Sequence, residues 1–167
     1  MPIESSLEMR LPVGRIVLTI LLSVFTQQAT ADGMVYACFE SASNRFGIND
    51  TELLMAIAKT ESDFNPTAIN KANNDGSVDY GLMQHNSQHL PMFEAAGFKK
   101  EDLFDPCTSI YLAAHNLAGC IKRHGRTWRA VGCYNAGSRK DREAARKKYV
   151  SRVKMAYTRL KKGNRNE

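Results

Sequence analysis

Apolar residues recur every three or four positions along most of this chain, the spacing of helices that pack by one face. Val35, Cys38, Phe39, Ala42 and Phe46 form the first such stripe after residue 31. Leu53, Leu54, Ile57 and Ala58 form a second, and Asn49 with Glu52 has the shape of a capping box opening a helix over about 50–62. The periodicity then stops. Residues 63–79 are polar and rich in turn formers, from Asn65-Pro66 through Asn70, Asn73 and Asn74 to Asp75-Gly76. They predict a long loop with a small β-hairpin around Asp75-Gly76, and so long a loop in a small domain usually carries function. Short helical pieces are expected before Pro91 and near 92–96, with a turn at Gly97. Asp105-Pro106 reads as an N-cap followed by proline at the first helical position. The helix it opens keeps Ile110, Ala114, Leu117, Ala118 and Ile121 on one face and breaks at 124–127. Thr127 can cap a helix through Ala136, and a last helix over about 141–162 has the stripe Ala145, Tyr149, Val153, Ala156 and Leu160. The expected fold class is all-α.

The first 31 residues have a different character. Arg10 and Arg15 precede an apolar run, Ile16 to Phe25, which is followed by the small-x-small sequence Ala29-Thr30-Ala31. This is the layout of a secretory signal peptide cut after Ala31. The apolar run is too short to cross ~30 Å of hydrocarbon, so no stable membrane anchor is expected after cleavage, and the mature protein is expected in the periplasm.

Charge changes the picture only when it is placed along the chain. Of 167 residues, 23 are Lys or Arg and 17 are Asp or Glu, a net charge of +6 that invites a nucleic-acid reading. Residues 1–31 are neutral, residues 32–137 carry nine basic against twelve acidic groups, and residues 138–167 carry twelve against three. The central region is therefore mildly acidic and the basicity belongs to the C-terminal segment, so no nucleic-acid partner is expected. The expected organisation is a signal peptide over 1–31, a core domain over 32–137 and a basic helix and tail over 138–167. One face of the tail helix is expected to dock on the core; the other is available to an anionic wall polymer, phospholipid or a protein partner.

Export also gives the cysteines meaning. Cys38, Cys107, Cys120 and Cys133 are an even number in an oxidising compartment, which points to two disulfides with three possible pairings. The helices over 106–124 and 128–136 are joined by a short loop and must be antiparallel. Cys120 and Cys133 lie at similar distances from that loop and should face each other, leaving Cys38 for Cys107. In the chain-entropy account the two closed loops are worth about 3 and 4 kcal/mol.

Glu61 is the residue with candidate chemistry. It continues the face of Leu54, Ile57 and Ala58 at the end of its helix, where a carboxylate is desolvated and its pKa rises. A carboxyl that holds its proton near neutral pH can serve as general acid for a glycosidic oxygen. Glu61-Ser62-Asp63-Phe64-Asn65-Pro66, Tyr80-Gly81-Leu82-Met83-Gln84-His85-Asn86 and Val131-Gly132-Cys133-Tyr134-Asn135-Ala136-Gly137 follow in order. Together they resemble the three motifs of the lysozyme-like lytic transglycosylases, over about 38–137. Within that family the chain is most similar to the small exported enzymes that accompany type III and type IV secretion, conjugation and pilus assembly. The Cys-containing first helix and the Asp-Pro-Cys at 105–107 are also found there, and the resemblance agrees with a Cys38–Cys107 pair.

The resemblance implies a lysozyme-like fold and cleavage of the β-1,4 bond between N-acetylmuramic acid and N-acetylglucosamine in peptidoglycan. Glu61 would protonate the leaving oxygen and then take the proton of the muramoyl 6-hydroxyl as a 1,6-anhydro ring closes. No second carboxylate is obligatory, although Asp79, across the loop, is a candidate to stabilise an oxocarbenium-like transition state. Tyr134 matches the tyrosine expected to hold the catalytic carboxyl. Gln84 and Asn86 match polar cleft positions, with Ser62 and Asn135 as further substrate-binding candidates. His85 departs from the isoleucine usual at its position, so an imidazole must be buried or redirected there. His85 and His89 are spaced i, i+4, but no HExxH pattern surrounds them, and the family implies no metal or other cofactor. The rival readings are a hydrolytic lysozyme using Glu61 and Asp79 with water, and a non-catalytic wall-binding component of an envelope machine.

Overall fold

The computed structural model describes residues 33–163; the expected signal peptide over 1–31 lies outside them. The first helix, α1, covers 33–45 among these residues and buries Phe39 and Ala42. Gly47 turns the chain with φ 63°, and the Arg126 guanidinium donates to the carbonyls of Gly47 and Ile48, holding the turn. Helix α2 spans Thr51–Ser62. Its cap is Asp50, whose Oδ1 accepts from the Leu53 amide at 3.1 Å, one residue later than the expected Asn49. Asn49 itself takes a left-handed φ of 53°, a conformation that asparagine tolerates, and so cannot cap. Glu52, the other half of the expected box, instead faces Lys161 at 3.0 Å.

The polar stretch folds as expected into a small β element. Strands β1 (Ile69–Asn70), β2 (Asp79–Tyr80) and β3 (His85–Asn86) form an antiparallel sheet in that order. The register places Asp79 opposite Asn70 on one side and Asn86 on the other. The β2–β3 turn needs Gly81: its φ is 75°, and a Cβ there would stand 2.0 Å from the Leu103 carbonyl oxygen. A short helix α3 (Leu90–Ala95) follows, then α4 (Pro106–His124), α5 (Trp128–Ala136) and α6 (Glu143–Gly163). Asp105 caps α4 by accepting from the Thr108 amide at 2.7 Å. Thr127 stands at the N-cap of α5, but its hydroxyl donates back to the His124 carbonyl. The all-α expectation holds, with the sheet as a minor element.

The core is built around α4. Ile110, Ala113, Ala114 and Leu117 are fully buried against Leu54, Ile57 and Ala58 of α2 and against Val131 of α5. A second cluster, Tyr80, Phe93, Leu103 and Leu112, packs under the sheet. Helix α6 closes the core with Tyr149 and Val153. Its buried stripe differs from expectation: Ala145 is exposed and Arg146 is buried. The Arg146 guanidinium is fully engaged, donating to Glu143 and to the carbonyls of Gly137 and Arg139, which is what allows a charge to occupy the face. Its aliphatic stem packs on Gly132, where an added Cβ would stand 3.0 Å from the Arg146 Cβ. The disulfides are Cys38–Cys107 and Cys120–Cys133, as the helix geometry requires. No helix among the described residues is long and apolar enough to cross a membrane.

Candidate active site

Helix α2 ends at Asp63, whose φ of 57° turns the chain out of the helix. Glu61 therefore sits in the last turn, on the face that Leu54, Ile57 and Ala58 bury, and looks into a cleft of about 930 Å³. Its side chain keeps an opening to that cleft, yet enough protein surrounds the carboxyl for desolvation to raise its pKa to about 7. A hydrogen bond from Tyr149 and the nearby Arg152 charge pull the value down; the Asp79 charge pushes it up. The group is thus protonated below pH 7 and still partly protonated at neutral pH, as the sequence led us to expect.

The tyrosine on Glu61 is not the expected one. Tyr149 of α6 donates its hydroxyl to Glu61 Oε1 at 2.6 Å. Tyr134 lines the same cleft, but its hydroxyl donates to the Met83 carbonyl at 3.1 Å. The reason is the packing of α6 antiparallel across α2. Tyr157 donates to Asp50 at the start of α2, while Tyr149 meets Glu61 at its end. Arg152, one turn beyond Tyr149, donates to the Thr60 carbonyl, which fixes the helix end that carries Glu61. Burial and the neighbouring Glu61 raise both tyrosine pKa values well above the ordinary phenol range, so both hydroxyls stay donors.

Asp79 faces the same cleft from β2 and is enclosed by amides. Oδ2 accepts from Asn70 at 3.0 Å and Asn73 at 2.9 Å; Oδ1 accepts from Asn86 at 2.8 Å. Asn86 also donates to Ser77 and accepts from the Gln88 amide, so its polar atoms are engaged within the loop. Gln84 lines the cleft with a φ of 51° and donates to the Gly81 carbonyl. Asn135 is exposed on the cleft wall. Ser62 is not on that wall; its hydroxyl donates to the Leu82 carbonyl at 2.7 Å and ties α2 to the β2–β3 turn.

His85 is buried at 7% exposure, and its Nε2 lies 3.0 Å from the Ser109 carbonyl. Facing a carbonyl, that nitrogen carries the proton and donates. Phe93 packs edge-on against the ring. Burial, opposed by the Ser109 bond, lowers its pKa to about 4, so the imidazole is neutral in the working range. The residue that replaces an isoleucine is thus accommodated by one hydrogen bond and an aromatic wall.

Sequence reasoning placed Glu61, Asp79, Gln84, Asn86, Tyr134 and Asn135 on one cleft and missed Tyr149. Tyr149 stood on the apolar stripe of α6, where a tyrosine reads as core filling. Asn70 and Asn73 were read only as turn formers.

Comparison with known proteins agrees with this site. The family described as the transglycosylase SLT domain matches residues 37–155, a span that reaches from α1 through Tyr149. The invasion protein IagB of Salmonella typhimurium strain SL1344 is 42% identical over 125 residues, covering 74% of this chain and 77% of that protein. Protein IpgF of Shigella flexneri is 40% identical over 124 residues, covering 74% and 80%. A peptidoglycan-binding-like protein of Escherichia coli O157:H7 is 38% identical over 149 residues, covering 83% and 89%. With a buried acid on an open cleft and this match across its whole core, the chain belongs to the transglycosylase SLT domain family and is a peptidoglycan lytic transglycosylase.

Proposed function

We propose that this protein is exported to the periplasm and cleaves the β-1,4 bond between N-acetylmuramic acid and N-acetylglucosamine, leaving a 1,6-anhydro-muramoyl end. The observation that carries this reading is Glu61: a carboxyl on a cleft wall, raised to about 7 by burial and oriented by the Tyr149 hydroxyl. In its protonated form it donates to the glycosidic oxygen as that bond breaks. The resulting carboxylate, with Tyr149 holding Oε1, then takes the proton of the muramoyl 6-hydroxyl as that oxygen bonds to C1. Each turnover returns the proton to Glu61, so the reaction balances without water.

Asp79 supports this reading over hydrolysis. Its oxygens already accept three amide donors, which suits a fixed negative charge near a developing oxocarbenium ion better than a group that must approach the sugar or activate water. Gln84, Asn86, Tyr134 and Asn135 are assigned to the substrate-facing wall, whereas Ser62 holds the turn that carries part of it. The similarity to a Salmonella invasion protein supports a role in opening the wall locally for a secretion, conjugation or pilus apparatus, with the basic face of α6 as the surface offered to it.

The test is product mass. Digests of isolated wall should contain muropeptides one water lighter than reducing-end products, and Glu61→Gln should remove them. Reducing ends of full mass would instead establish hydrolysis. Wall retention with no cleavage by the unmodified protein would establish a binding component.

A further inference from the structure

The catalytic cleft is acidic in one part and basic in another. Its carboxylates, Glu61, Asp75 and Asp79, come from α2 and the long loop; its guanidinium groups, Arg123, Arg139 and Arg142, come from the last turn of α4 and the segment joining α5 to α6. Helix α4 connects the two parts. Near its start, the Ser109 hydroxyl accepts from the Met83 amide at 3.2 Å, close to the Tyr134–Met83 bond. Arg123 comes fourteen residues later, about 21 Å along the helix axis. Arg123 therefore reaches the cleft from the far end of α4, opposite the end that Ser109 ties to Met83.

Arg123 is held without being neutralised. It lies over Gly119, where an added Cβ would stand 3.8 Å from its Nη1. Its Nη2 donates to the sulfurs of the Cys120–Cys133 disulfide at 3.3 and 3.4 Å. Sulfur is a weak acceptor, so the disulfide orients the guanidinium and leaves its charge available. Arg139 is paired with Asp141 at 2.8 Å. Among the described residues, neither Arg123 nor Arg142 has a carboxylate within ion-pair distance, although the Arg142 charge contributes to lowering the Asp141 pKa. A cleft that brings two such guanidinium groups to its wall is complementary to a carboxylate, which their forked N–H groups match.

We propose that Arg123 and Arg142, on the wall of the cleft that also holds Glu61, form a carboxylate-binding site that engages an anionic substituent of the glycan strand. This rests on the reading of the cleft as a peptidoglycan site. Peptidoglycan offers the chemistry from two sources: the free carboxyls of the stem peptides, and the lactyl carboxyl of a muramoyl residue whose peptide has been removed. The site would make the enzyme prefer charged wall over a neutral glycan and would set the strand's register.

The experiment uses the full chain carrying Glu61→Gln, which binds without turnover. It measures co-sedimentation with three insoluble walls: native, amidase-stripped, and native with carboxyls capped as methylamides. The expected result is about tenfold tighter retention on native than on capped wall, with Arg142→Gln or Arg123→Gln reducing native retention to the capped level. Arg142 is exposed, so its variant keeps the fold even if Arg123→Gln disturbs the disulfide region. Lys148→Gln, an equal charge change on exposed α6 surface, should leave the preference intact. Stripped wall that binds like native assigns the lactyl carboxyl; weak binding to stripped wall assigns the stem peptide. Equal retention on native and capped walls, or an equal loss in Lys148→Gln, overturns the site. Anhydro products from the unmodified protein report separately on the transglycosylase reading.

Discussion

Glu61 is governed by opposing influences of known direction. Burial raises its pKa and Tyr149 lowers it, with burial the larger effect and a resulting value of about 7. As the proposed general acid it must be protonated to act, so kcat/KM should fall as pH rises through about 7. Removing the Tyr149 hydroxyl takes away a lowering influence. Tyr149→Phe should therefore move the alkaline limb to higher pH while cutting the rate roughly tenfold or more, because the carboxyl loses its orientation. A pH–rate profile of the two proteins checks both parts; an unshifted limb would show that Tyr149 does not act on Glu61. Tyr134→Phe, whose hydroxyl is on Met83, should leave the limb in place. The sequence could identify Glu61 because the helical face it ends and three motifs in order along the chain point to the same residue. It could not choose between two tyrosines, because that choice depends on which helix crosses α2.

At the scale of elements, the long loop is ordered by its own polar groups. Asp79 gathers Asn70, Asn73 and Asn86, and Asp75 accepts from the amide and hydroxyl of Ser77 to close the hairpin tip. The run of asparagines that read as turn formers is thus also a set of donors around one carboxylate. The β2–β3 turn is tied to the body by Ser62 and by the approach of Gly81 to Leu103. Gly81→Ala would put a methyl group 2.0 Å from a backbone oxygen in a left-handed conformation. It should cost about 3 kcal/mol or more, seen as a lowered thermal midpoint together with lost activity. A midpoint within experimental error of the parent would refute the close approach. The turn was legible from its glycine, but the reason for the glycine was not, since Leu103 lies more than twenty residues away.

For the whole molecule, the basic C-terminal segment is part of the catalytic body. Helix α6 contributes Tyr149 and Val153 to the core and the hydroxyl that holds the acid, and Lys161 and Tyr157 tie its far end to Asp50. Truncation before Ser138 should therefore abolish cooperative unfolding and activity together, as read by calorimetry and wall digestion. Charge reversal at exposed positions such as Lys148 should spare both. A truncated chain that still melts cooperatively would mean that α6 is an accessory. The charge count alone sets residues 138–167 apart from the rest, because it registers the exposed face of an amphipathic helix and not the face that packs.

The sequence by itself determined the long helices, the acidic residue, the all-α class and the disulfide partners, but not the helix Leu90–Ala95, which runs through the Pro91 expected to end one. These rest on short-range spacing, capping chemistry and the antiparallel geometry of neighbouring helices. Tertiary structure decided the tyrosine on Glu61, the burial of Arg146, the bond that accepts His85 and the placement of both Arg123 and Arg142 on the wall of one cleft. Each of these depends on which surfaces of distant helices come together, and that is settled by packing of the whole core rather than by any local pattern.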